Sequence, residues 1–308
     1  MRRLLSPALR PYGAVTLAML CFALSFVWFK QAIVTYGPLT IVFFRMGFSS
    51  IILLVFTRLT GRLRLPDRRD IRCLLLLAFF EPFLYFMCES YGLRLLSSTV
   101  GAVIVATIPL VAPLAGYLFY RECITWRHLL GIVVSFSGVT LVVYEVGAGF
   151  TASPLGVLLE FGAVLAAVAY TVVLHRISDR LNNLSIIFYQ NILAFVYFLP
   201  FWLIFEAKAT WSTSFDLAAM TAIVKLALFA STVAFIFFTY SIRHLGITKA
   251  NMFVNMVPVF AALFARWVLG DPLTVTKVTG ITIVIAGLFV AQLKTIKKTP
   301  GPDPIPRT

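Results

Sequence analysis

The feature that most constrains this chain is a succession of ten predominantly apolar runs, each long enough to cross a lipid bilayer. They cover about residues 12–30, 38–57, 71–92, 98–119, 128–145, 154–174, 185–205, 217–241, 249–269 and 275–293. A span needs about 20 such residues, because a helix rises about 1.5 Å per residue and the hydrocarbon core is about 30 Å thick. Without water, every backbone N–H and C=O must be paired inside the segment, and a helix does that. The expected class is an all-α membrane protein with ten transmembrane helices. Composition agrees: 60% of residues are hydrophobic and 12% charged, against about 25% charged in a soluble domain.

Short connections separate the runs, punctuated by turn residues such as Gly37-Pro38, Gly61, Pro66, Gly147 and Pro154. The first run, after Arg2 and Arg3, lacks a small-residue cleavage site. It continues to Lys30, so it is read as a span and not as a signal peptide. Residues 299–308 carry four prolines and are expected to form a disordered tail.

A net charge of +14 raises the question of nucleic acid. The basic residues form no continuous stripe with interleaved aromatics, so no nucleic-acid partner is expected. They sort instead by side of the membrane. With the N-terminus in the cytoplasm, 19 of the 26 Lys and Arg fall in inner segments and 5 in outer ones; Arg45 and Lys225 lie within spans. That asymmetry follows the positive-inside rule and puts both termini in the cytoplasm.

A shift of 149 residues superposes the two halves without a gap. Tyr91 falls on Tyr240, Arg94 on Arg243, Pro109 on Pro258, Thr125 on Thr274, Gly131 on Gly280 and Gly138 on Gly287. Matches at Pro, Gly, Arg and Thr exceed what two apolar stretches share by chance. The expected domains are a first repeat over 1–149 and a second over 150–298. Five spans per repeat make the second enter from the opposite side, giving two inverted five-helix repeats. Inverted repeats are a common construction in secondary transporters, which rock one half against the other around a site near mid-membrane. Local roles follow. Thr125 and Thr274 are placed to cap helices. Pro109 and Pro258 each remove a backbone hydrogen bond in mid-span. Ala112-x-x-x-Gly116 and Ala261-x-x-x-Ala265 are small faces where a second helix can approach.

The repeated elements resemble the EamA family of the drug/metabolite transporter superfamily. The resemblance rests on Phe44-Arg45-Met46 in the second span and the paired prolines in the fourth and ninth. It rests also on Glu122 to Thr125 to Gly131, echoed by Asp271 to Thr274 to Gly280. It covers about residues 12–293. It implies a ten-helix carrier of the bacterial cytoplasmic (inner) membrane that moves small metabolites, often outward, through a cavity between two helix groups. Cys21-Phe22-Ala23-Leu24-Ser25 stands where the family usually has a Trp-Gly pair, which bears on the cavity floor.

Ionisable side chains within a span are costly and usually face protein or water. Here they are Arg45, Glu81, Glu89, Glu160 and Lys225. Glu81 lies about 15 Å along the third span and precedes Pro82. Glu81, Tyr85 and Glu89 share one helical face. Their repeat counterparts, Ala230, Ala234 and Phe238, are apolar. Scaffold should look alike in both halves, so this face is a candidate for binding solute or coupling to protons, against the alternative of a carboxylate satisfied locally. Arg45, Glu89, Glu160 and Lys225 fall at similar depth and are candidates for ion pairing or an outer gate. Asn251 and Asn255 are further asymmetric additions, where the first half has Ala102 and Ala106, and are candidates for presenting an amide to the solute, against the alternative of bonding across helices. Trp28, Tyr85, Tyr170 and Tyr240 are candidates for the cavity wall, with packing as the alternative.

The four cysteines read as packing residues, and the three histidines, at helix ends facing water, form no ligand cluster. No metal or cofactor is expected, and no GxxxxGK[ST] motif for ATP is present. The expected function is secondary transport of a small organic solute within the lipid bilayer, with protons as an open coupling partner. Monomer and homodimer remain open. A membrane-embedded enzyme would need a catalytic cluster within the spans, which is not found, and a receptor or scaffold would bring a soluble domain.

Overall fold

The computed structural model describes residues 10–120, 124–145, 149–150, 152–174, 181–245, 250 and 253–292. Eight helices among them are long and apolar enough to cross a membrane. They are α1 (Arg10–Ala32), α2 (Pro38–Leu59), α3 (Asp70–Leu95), α4 (Ser98–Phe119), α5 (Trp126–Val143), α6 (Pro154–Leu174), α7 (Asn183–Phe205) and α8 (Leu217–Ser241). Two shorter apolar helices follow, α9 (Val257–Leu269) and α10 (Val275–Ala291). The ninth run, expected as one span from 249, is helical at Ala250 and over 253–254, turns at Asn255 and Met256, and resumes as helix at Val257; residues 251–252 lie outside the described residues. α5 ends at Val143, two residues early, because Tyr144 and Glu145 pair antiparallel with Phe150 and Gly149. The tail over 299–308 lies outside the described residues.

The bundle's outside is apolar. Ile51, Leu165, Ile204 and Val278 are among many large exposed hydrophobics, which suits lipid tails and would be costly in water. Inside, α1 packs against α8 and α9 around Met19, Phe26, Ile223, Leu226 and Ala261. Correspondingly, α6 packs against α3 and α4. Each half thus lends its first helix to the other half's third and fourth.

α5 and α10 pair most closely, and glycine explains how. A Cβ on Gly131 would stand 2.5 Å from the Gly287 carbonyl oxygen, and one on Gly138 would stand 2.7 Å from that of Gly280. Backbones meet here because no side chain intervenes. Ser135 Oγ donates to the Val284 carbonyl at 2.8 Å. The residue order shows the helices to be antiparallel. The 149-residue shift turns the contact of Gly131 with Gly287 into that of Gly280 with Gly138, and maps Ser135 onto Val284. These contacts therefore exchange as a two-fold axis near Ser135 and Val284 would exchange them.

The helix irregularities repeat as well. α4 turns at Ala106 and Thr107, just before Pro109, and the chain turns at Asn255 and Met256, just before Pro258. Thr107 N–H bonds the Ile104 carbonyl at 2.9 Å and Met256 N–H bonds that of Phe253 at 2.9 Å, equivalent three-residue steps just before prolines that cannot donate. α3 widens into a π-type turn over Phe79–Leu84 and α8 over Leu226–Val233. Thr125 and Thr274 do cap, accepting from the N–H groups of His128 and Lys277 at 3.4 and 3.3 Å. Of the small faces, Ala261 and Ala265 are fully buried, whereas Ala112 is half-buried, and the packing at Gly116 is outside the described residues. The histidine expectation needs one correction: His128 is buried, its Nε2 2.8 Å from the Leu110 carbonyl oxygen. The fourth helix packs over the start of α5 and covers it.

Candidate functional site

Glu81 has non-helical backbone angles, φ −144° and ψ 119°, inside an otherwise helical span. Pro82 cannot donate to the ladder, so the helix opens here and frees backbone groups for side chains. Gln190 of α7 takes one up, its Nε2 donating to the Glu81 carbonyl at 3.4 Å. Beside the opening is a cavity of about 30 Å³, lined by Glu81, Phe86, Tyr170, Gln190, Asn191 and Ser231 among others. That volume holds about one water molecule. It has no room for a larger solute.

One turn and then two turns further along α3, Tyr85 and Glu89 are buried, and the Tyr85 hydroxyl donates to Glu89 Oε1 at 2.8 Å. Arg45 reaches the same place from α2. It is 5% exposed, and its Nε donates to Ser231 Oγ of α8 at 2.8 Å. Its guanidinium carbon lies 4.2 Å from the centre of the Phe86 ring, a cation–π distance. Glu89 lies within its electrostatic reach. Ser49 and Thr232 extend the α2–α8 polar seam at 3.2 Å. A buried guanidinium thus keeps a hydrogen bond, a ring face and a nearby carboxylate, as such a charge requires. The seam crosses between the two halves.

The expected residues divide. Arg45, Glu81, Tyr85, Glu89 and Tyr170 come together, Tyr170 through a hydrogen bond with Gln190. Glu160 of α6 joins through its field on Glu89. Lys225 does not: it is exposed, and Lys30 of α1 is the base near Glu160. Trp28 packs on Phe229, ring centroids 5.7 Å apart, between α1 and α8. Tyr240 is 37% exposed, its ring centroid 4.2 Å from that of its own helix neighbour His244, and it does not line the small cavity. Asn255 is buried at the turn before α9, away from the cavity lining. Asn251 lies outside the described residues. Gln190, Asn191 and Ser231 were not anticipated. Neutral polar groups cost a span less than charges do, and they stood out less for that reason.

The model of the EamA-like transporter family matches the chain twice, over residues 10–144 and again over 154–292. The chain belongs to that family. The double match falls on the two segments that the 149-residue shift superposes. This EamA-like protein is similar to the uncharacterized transporter YetK of Bacillus subtilis, 27% identical across 77% of this chain and 72% of that one. It is also similar to a probable terminal-alkyne amino-acid exporter of Streptantibioticus cattleyicolor, at 22% identity over 94% and 97% of the two chains. A solved crystal structure has the same fold, with a TM-score of 0.67 at 15% identity, covering 91% of this chain and 96% of its own. Transport across a membrane is therefore the activity of the family and of its named relatives, and this chain is a multi-pass membrane protein.

Proposed function

We propose that this chain is a secondary transporter exporting small organic metabolites across the cytoplasmic membrane by alternating access, with proton coupling. In this reading ten helices form two inverted repeats, 1–149 and 150–298, and both termini are cytoplasmic. The observation that carries it is the buried seam of Arg45, Ser231, Tyr85 and Glu89, which joins the halves beside the opened helix at Glu81. A charged cluster so costly in a membrane interior earns its place by meeting a polar solute. Glu81, facing the small cavity, is the solute contact. The cavity's size, about 30 Å³, fits a state closed around no cargo. Outward transport is supported by the exporter among the relatives and the orientation by the excess of basic residues in the inner segments.

Reconstitution tests this. Proteoliposomes preloaded with labelled amino acids, nucleobases or cationic drugs should lose one class faster than protein-free vesicles, and a pH gradient should change the rate. Failure with all classes would sink the transporter reading. Glu81→Gln should weaken transport of the accepted class at least about tenfold, the scale of one lost charged contact. Unchanged transport would remove Glu81 from the solute site.

A further inference from the structure

Glu160 is 0% exposed, and among the described residues neither of its carboxylate oxygens has a hydrogen-bond partner. Every other acid of the cluster is provided for: Glu89 has the Tyr85 hydroxyl and the nearby Arg45, and half-buried Glu81 faces the cavity. The niche around Glu160 is made by glycine. A Cβ on Gly92 of α3 would lie 3.0 Å from Glu160 Oε1, and one on Gly101 of α4 would lie 3.2 Å from the same atom. Any side chain at either position would press on the carboxyl. The groups that act on it electrostatically are Tyr85, Cys88 and Glu89 on α3 and Lys30 on α1, and Lys30 also feels Asp271 beyond α9. α4 brings Gly101 against it.

An ionised carboxylate taken out of water without donors is so unfavourable that the group neutralises instead. We propose that Glu160 is the proton-binding site of the transporter, holding a proton as a neutral acid in the closed state and releasing it when α6 parts from α3 and α4. On release the O–H bond breaks, the proton passes to water admitted between the helices, and the electron pair stays on the carboxylate. Lys30 then becomes its counter-charge. The proton site is thus distinct from the solute contact at Glu81, and α6, lent by the second half to the first, is the element whose motion exposes it. The idea that this proton drives cargo rests on the transporter reading; the proton site itself does not.

Infrared spectroscopy of the purified full chain in detergent separates the two. A protonated buried carboxyl gives a C=O stretch distinct from carboxylate bands and sensitive to deuterium. The wild type should show it at neutral pH. Glu160→Gln should abolish it, while Glu81→Gln and Glu89→Gln keep it, and it should disappear reversibly as pH is raised. No band in the wild type, or one unchanged in Glu160→Gln, would overturn the proposal. A band that no pH removes without unfolding would overturn release. Should Glu160→Gln not fold, Glu160→Asp, which withdraws the acid from Gly92 and Gly101, must move the band; an unmoved band also refutes the assignment. None of these outcomes depends on finding a transported solute.

Discussion

The two ends of the bundle solve one problem with different chemistry. At one end, the connection from α1 to α2 is fastened to the connection from α7 to α8 by carboxylates. Glu206 accepts from the N–H groups of Leu39 and Thr40 at 3.2 and 2.7 Å and from the Thr40 hydroxyl at 2.8 Å. Asp216 accepts from the Thr35 hydroxyl and from the N–H groups of Ala218 and Ala219. At the other end, the start of α7 is fastened to the connection from α2 to α3 by neutral groups. Asn182 Nδ2 donates to the Arg62 carbonyl at 2.6 Å, and Ser185 Oγ accepts from Arg64 N–H at 2.8 Å. Asn182 also caps its own helix, accepting from Ser185 N–H. α2, preceded by Gly37 with no side chain to cap it, borrows Glu206 from the far half. One helix is capped in cis and its repeat counterpart in trans. A trans cap makes the stability of α2 depend on the two halves staying together.

The largest effect should come from breaking the trans cap. Glu206→Ala removes an acceptor from three donors and leaves the first turn of α2 unsatisfied. With hydrogen bonds to a charged group each contributing about 1.5–3 kcal/mol in favourable settings, and Glu206 half-exposed, a loss of about 2 kcal/mol is expected. Thermal unfolding of the purified protein in detergent checks it. Hydrogen exchange should rise at residues 37–41 and not at 182–186. Equal loosening at both ends would erase the distinction between them.

Much of this molecule can be read from the sequence, for identifiable reasons. Run length exposes the spans, because the bilayer imposes it. The 149-residue shift exposes Gly131 and Gly138 as matches of Gly280 and Gly287, and the fold supplies the reason, since close backbone approach tolerates no side chain there. Glu81, Tyr85 and Glu89 stand out because the halves differ there. Lys225 misleads because depth along a helix does not say which way a side chain faces, and the packing of α8 on α1 and α2 leaves it exposed. Glu206 could not be read at all: its partners lie 166 and 167 residues away, and nothing local marks an acid at the end of one helix as the cap of another. The solitude of Glu160 also needs the fold, since it depends on what α3 and α4 fail to offer.

A smaller effect is expected at the neutral end. Asn182→Ala removes the cis cap and the bond to Arg62, and should cost about 1 kcal/mol, the usual loss at an N-cap. Its melting deficit should be the same at every pH from neutral to mildly acid, because no titrating group is involved. A deficit larger than that of Glu206→Ala would reverse the ranking of the two ends.

The finest test uses acid. The Thr35 hydroxyl, and then the Ala219 and Ala218 N–H groups, hold the Asp216 carboxyl below the usual aspartate range. A depressed carboxyl contributes stability at any pH above its unfolded value, about 3.9, and loses it as pH falls through the folded value. The contribution of Asp216 is thus fully present at neutral pH and fades only below about pH 4. Asp216→Asn keeps an oxygen for the cap but gives up the charge. The variant should melt slightly below the wild type at neutral pH, and the two curves should converge as pH drops below about 4. Asn182→Ala run alongside should show no such convergence. Curves for Asp216→Asn that stay parallel through the acid range would mean that this end, too, is fastened by geometry alone and not by charge.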